Sequence, residues 1–375
     1  MKVLFLNYEY PPLGGGAANA TYYILKEFSR ENDIEIDLVT SSAGSEFEIE
    51  EMGAGVRIHK LPVNKNEIHY WTQKEILVYS WKAYRYAKKL DAKDYDLIHT
   101  FFGFPCGAIA YLLKKDVPYI VSLRGSDVPG FNNRFSLQYV FLKPIIKKVW
   151  KSSDAVIANS KGLKELALKT DSDVNIGVIY NGIKLEEFNP ELSESKDSVF
   201  TILTVARLIE RKGIDDLIKA IAMLVKDNVT DIRLKIIGKG NMEASLKALS
   251  QELDVAEFVD FLEYVPHDKL PLHYSSSDVF VLPSKYEGMS NTVLEAMASG
   301  LPVIVTDTGG TAELVNGNGT IVPAKSPSEL KGAIAKYYKN PDLKNEHGAK
   351  SRKIAEKLTW NEVMKGYLDV YRMVL

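Results

Sequence analysis

The chain has 375 residues, 46% hydrophobic and 26% charged, with a net charge of -2. That length suggests two domains, each able to bury a core, and the charge argues against a nucleic-acid polyanion as partner. The single cysteine, Cys106, excludes an internal disulfide and a cysteine zinc cluster, and fits a reducing compartment.

The N-terminal apolar run, residues 2–8 (KVLFLNY), reads as a buried strand and is too short for a signal peptide. No stretch approaches the roughly 20 apolar residues of a membrane span, so a cytoplasmic protein is expected. Three glycines, Gly14, Gly15 and Gly16, follow the strand and precede a helix expected over 17–30. Such a loop lets a ligand approach the backbone, or is a plain flexible turn; it is not the G-x-G-x-x-G of dinucleotide sites. Further strands are expected at 34–40 and 57–61, with a surface loop over 41–55. An amphipathic helix is expected over 75–90, a buried strand at 96–101 and a helix at 106–115. Strands at 118–123 and 154–159 follow, and Tyr180-Asn181-Gly182 closes the first half. Residues 186–198 read as a linker.

The pattern then restarts. A strand at 200–205 ends in a loop carrying Arg207 and Lys212, and a helix follows from Ile214. A strand at 233–237 ends in Gly238-Lys239-Gly240, before a helix to Leu253. Strands are expected at 258–262, 278–283, 303–306 and 320–322, and a helix at 360–375 carries Trp360, Tyr367 and Tyr371. Alternating strands and helices in both halves predict two doubly wound α/β domains.

Residues 278–305 form the most informative unit: strand, loop, helix, strand. Glu287 and Gly288 lie in the loop, and Glu295 lies eight residues after Glu287, in a helix expected over 291–299. Ligands of parallel sheets bind outside the carboxyl ends of the strands, and helix-start amides suit phosphates. Arg207 and Lys212 add cations suited to a diphosphate, and a carboxylate can accept from ribose hydroxyls. Together these suggest a nucleoside diphosphate site needing no metal. The plainer alternatives are that Thr292-x-x-Glu295 is a capping box and that Glu287 is a solvated loop charge. Two D-x-D patterns, Asp94–Asp96 and Asp171–Asp173, are set aside as metal sites, the first because it precedes its strand.

The residues Ala206-Arg207-Leu208 with Lys212-Gly213, Gly238-Lys239-Gly240, and Glu287 to Asn291 through Leu294 to Ala298 resemble the GT-B-fold retaining glycosyltransferases known as glycosyl transferases group 1, or family 4. Glu287 and Glu295 match that family's E-x7-E pair. The resemblance implies two Rossmann-like domains facing each other across a cleft. The acceptor-binding domain would span 1–182, with helix 360–375 packed back on it, and the donor-binding domain 183–359. It implies that Arg207 and Lys212 stabilise the leaving diphosphate of a nucleotide-sugar. Glu295 would bind ribose, and Glu287 would contact the donor sugar. Donor contacts would also come from Gly15, Gly16, Gly238, Gly240, Tyr264, Gly288, Met289, Ser290 and Asn291. No cofactor or metal is implied. The acceptor would be a glycan, a lipid-linked or a small molecule. A UDP-sugar is the favoured donor, with GDP-mannose open. A sugar-nucleotide 2-epimerase or a non-catalytic nucleotide-sugar binder are the rival readings.

The chain departs from the family at Arg124, where many relatives carry a histidine. Arginine is no general base; Arg124 either binds an anion or pairs with Asp127. His99 is the remaining first-domain histidine at an expected strand end, and a candidate for the acceptor or sugar region. Residues 137–151 mix bulky apolar and basic side chains. They suggest either a core helix with a basic edge or a peripheral contact with an anionic membrane.

Overall fold

A computed structural model describes the chain apart from residues 66, 69, 114–116, 132–135 and 193–198. The chain divides into two compact units, residues 1–182 with 360–375, and residues 183–359.

The first unit holds β1 (Lys2–Leu6), β2 (Glu35–Ser42), β3 (Glu48–Glu51), β4 (Val56–Pro62), β5 (Leu97–Phe101), β6 (Tyr119–Leu123), β7 (Ala155–Ala158) and β8 (Ile176–Val178). They form one sheet in the order β3-β4-β2-β1-β5-β6-β7-β8. Every described neighbour pair is parallel except β3 with β4. The central strands are almost entirely buried, which is why they read as continuous apolar runs. Strand β3 lies inside the stretch expected to be loop. Its residues, Glu-Ile-Glu-Glu, are all exposed, so it carries no alternation to reveal it. Its acids suit an edge that must not pair further.

Helices α1 (Gly16–Phe28), α2 (Gln73–Lys89), α3 (Ala108–Leu113), α4 (Ser136–Lys151) and α5 (Lys161–Leu168) connect the strands. A capping box does occur in the chain, at α2. Thr72 Oγ1 accepts from the Glu75 N–H at 3.3 Å, and Glu75 accepts from the Thr72 N–H at 2.8 Å. The helix expected over 106–115 is shorter, and residues 114 and 115 lie outside the described residues.

The C-terminal helix, Trp360–Val374, belongs to this first unit. Its spacing places Trp360, Val363, Met364, Tyr367 and Tyr371 on one buried face. Trp360 stacks on Tyr23 at 5.5 Å, and Tyr371 stacks on Phe28 at 5.8 Å. His99 sits in this aromatic layer, midway along β5 and not at its end. It is fully buried and stacked on Phe5 at 4.3 Å. Its Nδ1 meets the Tyr371 hydroxyl at 2.7 Å and its Nε2 the Ser122 hydroxyl at 2.8 Å. Burial, with Arg124 nearby, holds its pKa well below the usual imidazole value. The expectation of a strand-end site histidine is corrected: His99 is a neutral core residue with both ring nitrogens engaged.

The second unit holds β9 (Phe200–Val205), β10 (Ile232–Ile237), β11 (Val259–Leu262), β12 (Val279–Leu282), β13 (Val303–Thr306) and β14 (Gly319–Val322). All described pairs are parallel, in the order β11-β10-β9-β12-β13-β14. Its helices are α6 (Ile214–Lys226), α7 (Glu243–Glu252), α8 (Leu270–Ser275), α9 (Asn291–Ala298), α10 (Pro327–Tyr338) and α11 (Pro341–Ala355). The sequence reading assigned no element to α8, α10 or α11. Of the expected linker, Pro190–Leu192 form a single tight helical turn, and residues 193–198 lie outside the described residues.

The parallel strands of each sheet run outward in both directions from one switch point, between β1 and β5 in the first and between β9 and β12 in the second. Carboxyl ends at such points open a crevice for ligands. The D-x-D residue Asp96 lies at the opposite end, where it accepts the Lys2 N–H at 2.8 Å. Asp154 and Asp278 do the same for Tyr119 and Thr201, both at 2.9 Å. These aspartates fix strand starts.

All four tryptophans, Trp71, Trp81, Trp150 and Trp360, lie in the first unit, so tryptophan fluorescence reports its unfolding. Tyr371→Phe removes the partner of His99 Nδ1 inside the core. It is expected to destabilise this unit by about 1–3 kcal/mol in urea, the cost of an unsatisfied buried polar group. An unchanged midpoint would mean that the pair contributes nothing.

Candidate active site

The second unit gathers its charged groups at the carboxyl ends of β9 and β12. The loop after β9 runs to Lys212 and turns at Gly213. The Gly213 backbone is left-handed, with φ +65°, and a Cβ there would lie 2.1 Å from the Pro283 carbonyl oxygen. Glycine therefore lets this loop lie directly against the end of β12. The Lys285 N–H donates to the Arg211 carbonyl at 2.7 Å, tying the two loops again.

The tie places the Lys212 ammonium on the Glu287 carboxylate. Ser284 donates to the same carboxylate oxygen at 3.1 Å. Each side chain of the pair is only 11% exposed. Glu287 is thus not a solvated loop charge. Burial works against its ionised form, but the Lys212 and Arg211 cations outweigh it and hold its pKa below the carboxylate range. Burial pulls the Lys212 pKa down, aided by Arg211 and Arg207, while Glu287 opposes the fall. Lys212 is a cation in a crowded, dry setting, and additional negative charge there would stabilise it. Arg207 stands exposed in the same loop.

Gly238 and Gly240 have a packing reason of their own. A Cβ on Gly238 (φ +142°) would lie 2.0 Å from the Ala206 carbonyl oxygen, and one on Gly240 would lie 2.1 Å from that of Leu208. The Leu208 N–H donates to the Lys239 carbonyl at 2.9 Å. These glycines let the loop after β10 brace the Arg207 loop. Tyr264, after β11, is 69% exposed.

Helix α9 begins at Asn291 with Ser290 at its N-cap and no side-chain cap bond. The Ser290 and Thr292 hydroxyls meet at 3.0 Å instead. The capping-box reading of Thr292 and Glu295 is therefore corrected. Met289 and Ser290 are buried, and the Gly288 carbonyl accepts from Thr311 at 2.9 Å. Glu295, one turn in, accepts from the Tyr274 hydroxyl at 2.8 Å and faces His267 Nε2 at 3.3 Å. Burial, with Glu295 adding to it, raises the Tyr274 pKa, so the phenol remains a donor. Ser284, Arg211, Tyr274 and His267 complete this arrangement and were not singled out from the sequence. Arg211 stands beside Lys212, a signal that was available. Tyr274 and His267 lie in or beside the unassigned helix α8.

In the first unit the loop after β1 folds on Glu9. The Gly14 backbone has φ +99°, and a Cβ there would lie 2.6 Å from the Glu9 carboxylate. Glu9 also accepts from the Gly15 N–H at 3.4 Å. Gly15 and Gly16 are exposed, and nothing lies within 4 Å of a Cβ on Gly15. The first turn of α1 has no acid and no side-chain cap. Asp127 accepts three backbone N–H groups, from Gly103 at 2.7 Å and from Arg124 and Gly125 at 3.0 Å. Its link to Arg124 thus runs through the backbone. The Arg124 side chain instead donates to Asn181 Oδ1 at 2.8 Å and lies over the Phe101 ring at 4.4 Å. On α4, Phe141 is 80% exposed, and Lys143, Ile145, Lys148 and Lys151 are exposed with it. Among the described residues no helix is long and apolar enough to cross a membrane.

Two family models divide the chain between them. Glycosyltransferase Family 4 matches residues 14–187, and Glycosyl transferases group 1 matches residues 186–354. The chain is a GT-B glycosyltransferase. An uncharacterized glycosyltransferase of Methanocaldococcus jannaschii is 28% identical over 99% of this chain and 98% of its own length. The fold of this glycosyltransferase matches sucrose-phosphate synthase from Thermosynechococcus elongatus with a TM-score of 0.85, at 21% identity over 100% of this chain and 99% of that one. It matches Anabaena HepE, solved with UDP and glucose, with a TM-score of 0.76, at 18% identity over 99% of both chains.

Lys212→Met leaves Glu287 buried without its closest cation and is expected to cost about 3–5 kcal/mol. Lys212→Met with Glu287→Leu should regain most of that loss, because an apolar pair replaces a buried ion pair at little cost. Urea unfolding followed by circular dichroism compares the two, and equal losses would show that the charges do not act as a pair. His267 adds a pH dependence. The hydrogen bond with Glu295 raises its pKa. The resulting stabilisation is present in full below the unfolded value of about 6.5. It is lost as pH rises through the higher folded value. The urea midpoint of this unit should fall over that window, and Glu295→Gln should flatten the change.

Proposed function

We propose that this glycosyltransferase moves a sugar from a nucleoside-diphosphate sugar to a glycan, lipid-linked or small-molecule acceptor, with retention and without a metal ion. The observation that carries the reading is the buried Lys212–Glu287 pair at the carboxyl ends of β9 and β12, with Arg207 and Arg211 in the same loop. Arg207 and Arg211 add positive charge around this pair, beside the start of α9, whose N-cap makes no side-chain bond. A diphosphate satisfies both.

In this reading Arg207 and Lys212 face the diphosphate, and charge grows on its leaving oxygen as the sugar C1 becomes oxocarbenium-like. Groups already fixed in place stabilise that charge without reorganising, which is how electrostatic catalysis lowers a barrier. Glu287 orients Lys212 and contacts the donor sugar. Glu295 has spent two of its roughly four acceptor directions on Tyr274 and His267, so it retains capacity for ribose hydroxyls. The amides of Gly288 to Asn291 complete the donor site. Tyr264 lines the base. Attack on the same face, with the leaving phosphate taking the acceptor proton, gives retention. The UDP of the Anabaena neighbour supports a UDP-sugar; GDP-mannose is the alternative donor.

A thermal-shift screen with UDP, GDP, ADP and their sugars, with and without EDTA, tests the donor. A ligand that binds only the folded chain raises Tm by mass action. UDP is expected to give the largest shift, unchanged by EDTA and lost in Glu295→Ala. A shift that EDTA abolishes would overturn metal independence, and no shift from any nucleotide would overturn the donor reading.

A further inference from the structure

The first unit holds a cation that its own acids do not neutralise. Arg124 follows β6 directly, at the carboxyl end of the sheet. Its guanidinium rests on the fully buried Phe101 ring, at 4.4 Å. One Nη donates to Asn181, a neutral amide, at 2.8 Å. Its Nε is buried without a hydrogen-bond acceptor. Among the described residues, no carboxylate lies at ion-pair distance from it. The nearest candidate in sequence, Asp127, is committed to the N–H groups of Gly103, Arg124 and Gly125. Lys65, an enclosed cation of the same unit, is treated differently: it has Glu75 at 2.9 Å.

A guanidinium taken out of water loses hydration that a ring face, one amide and the Tyr367 hydroxyl, all neutral, do not fully replace. Folding tolerates this where a charge arrives later. Burial is the main influence on the Arg124 pKa and pulls it down, with Tyr367, Asp127 and Glu9 opposing. Tyr367 is itself a neutral phenol at ordinary pH, since burial raises its own pKa. An incoming anion would supply what these neighbours lack. Arginine suits it, because its planar fork can meet two oxygens of one phosphate or carboxylate.

We propose that Arg124 is the recognition residue for an anionic group, a phosphate or a carboxylate, carried by a substrate of this enzyme. The proposal rests on the glycosyl-transfer reading for the identity of that substrate. The group belongs to the acceptor, which is an acidic or phosphorylated sugar or lipid, and neutral sugars bind poorly. Asn181 holds the guanidinium in place, and Asp127 shapes the turn from which it projects.

The test uses the full chain, with UDP, glucose 6-phosphate, glucuronate and neutral glucose as probes. Binding is measured by calorimetry at low ionic strength for the wild type, Arg124→Met and Asn181→Asp. If the acceptor carries the anion, glucose 6-phosphate or glucuronate binds the wild type more tightly than glucose. Arg124→Met then weakens that binding at least about tenfold, the size of one charge-assisted contact, and leaves UDP affinity within about twofold. A loss of UDP affinity by that factor, with anionic-sugar affinity unchanged, would overturn the acceptor assignment. Asn181→Asp supplies an internal counter-charge, so it should weaken anion binding while holding or raising Tm. This arm guards against misfolding of Arg124→Met. Anion affinities that ignore both substitutions, or a wild type that binds no anionic probe, would overturn the proposal. Glu295→Ala separates it from the donor reading. Should UDP binding fail in the wild type while Arg124-dependent glucose 6-phosphate binding persists, the donor reading falls and this one stands.

Discussion

The Lys212–Glu287 pair is the contact on which the second unit's site depends. It joins the loop after β9 to the loop after β12, across the switch point of the sheet. Close backbone contact fixes these loops: Gly213 against Pro283, Gly238 against Ala206, Gly240 against Leu208. A buried ion pair is a poor source of stability, because desolvation of two ions cancels most of their attraction. Its value here is placement. An ammonium held by one carboxylate, with two arginines in the same loop, is a charge kept dry and in position.

The first unit treats two neighbouring buried charges differently. Asp127 is saturated by three backbone N–H groups and becomes part of the turn. Arg124, three residues earlier, receives neutral partners: an amide oxygen, a ring face and the Tyr367 hydroxyl. His99, on the neighbouring strand, faces the aromatic layer of the C-terminal helix, where Phe5, Tyr367 and Tyr371 enclose it. A histidine and an arginine on adjacent strands thus have different fates. The histidine is mid-strand and pointed into the core, whereas the arginine lies one residue beyond its strand, where side chains leave the sheet.

Much of this was legible in the sequence, for physical reasons that can be named. Buried parallel strands are apolar on both faces, so β9 and β13 could be read to the residue, and Gly300 marked the stop after α9. The loops after β9 and β12 announced themselves by charged residues and glycines at strand ends. What stayed hidden lacks such contrast. Strand β3 is exposed on every residue. Helix α8 has six residues and starts beside a proline, too short for a periodic signal. With α8 went Tyr274 and the nearby His267, the partners of Glu295. Neither could be inferred from spacing, because they reach Glu295 through the fold, 21 and 28 residues away in sequence. The glycine roles were half legible. Their presence signalled close approach, but only the folded chain shows that at Gly238 and Gly240 the approaching group is its own carbonyl.

Glu287 and Glu295 show how little the residue type decides. Eight residues apart, they sit on one loop and the helix that follows it. Glu287 is surrounded by Lys212, Arg211 and a serine hydroxyl, so its charge is matched and its oxygens are directed at cations. Glu295 is met by a phenol and an imidazole, groups that donate hydrogen bonds and leave its charge only partly balanced. The first environment fixes an ion, and the second orients an acceptor. The division of labour between the two glutamates therefore follows from their neighbours, and the neighbours come from different elements: the loop after β9 for one, and α8 with the segment before it for the other.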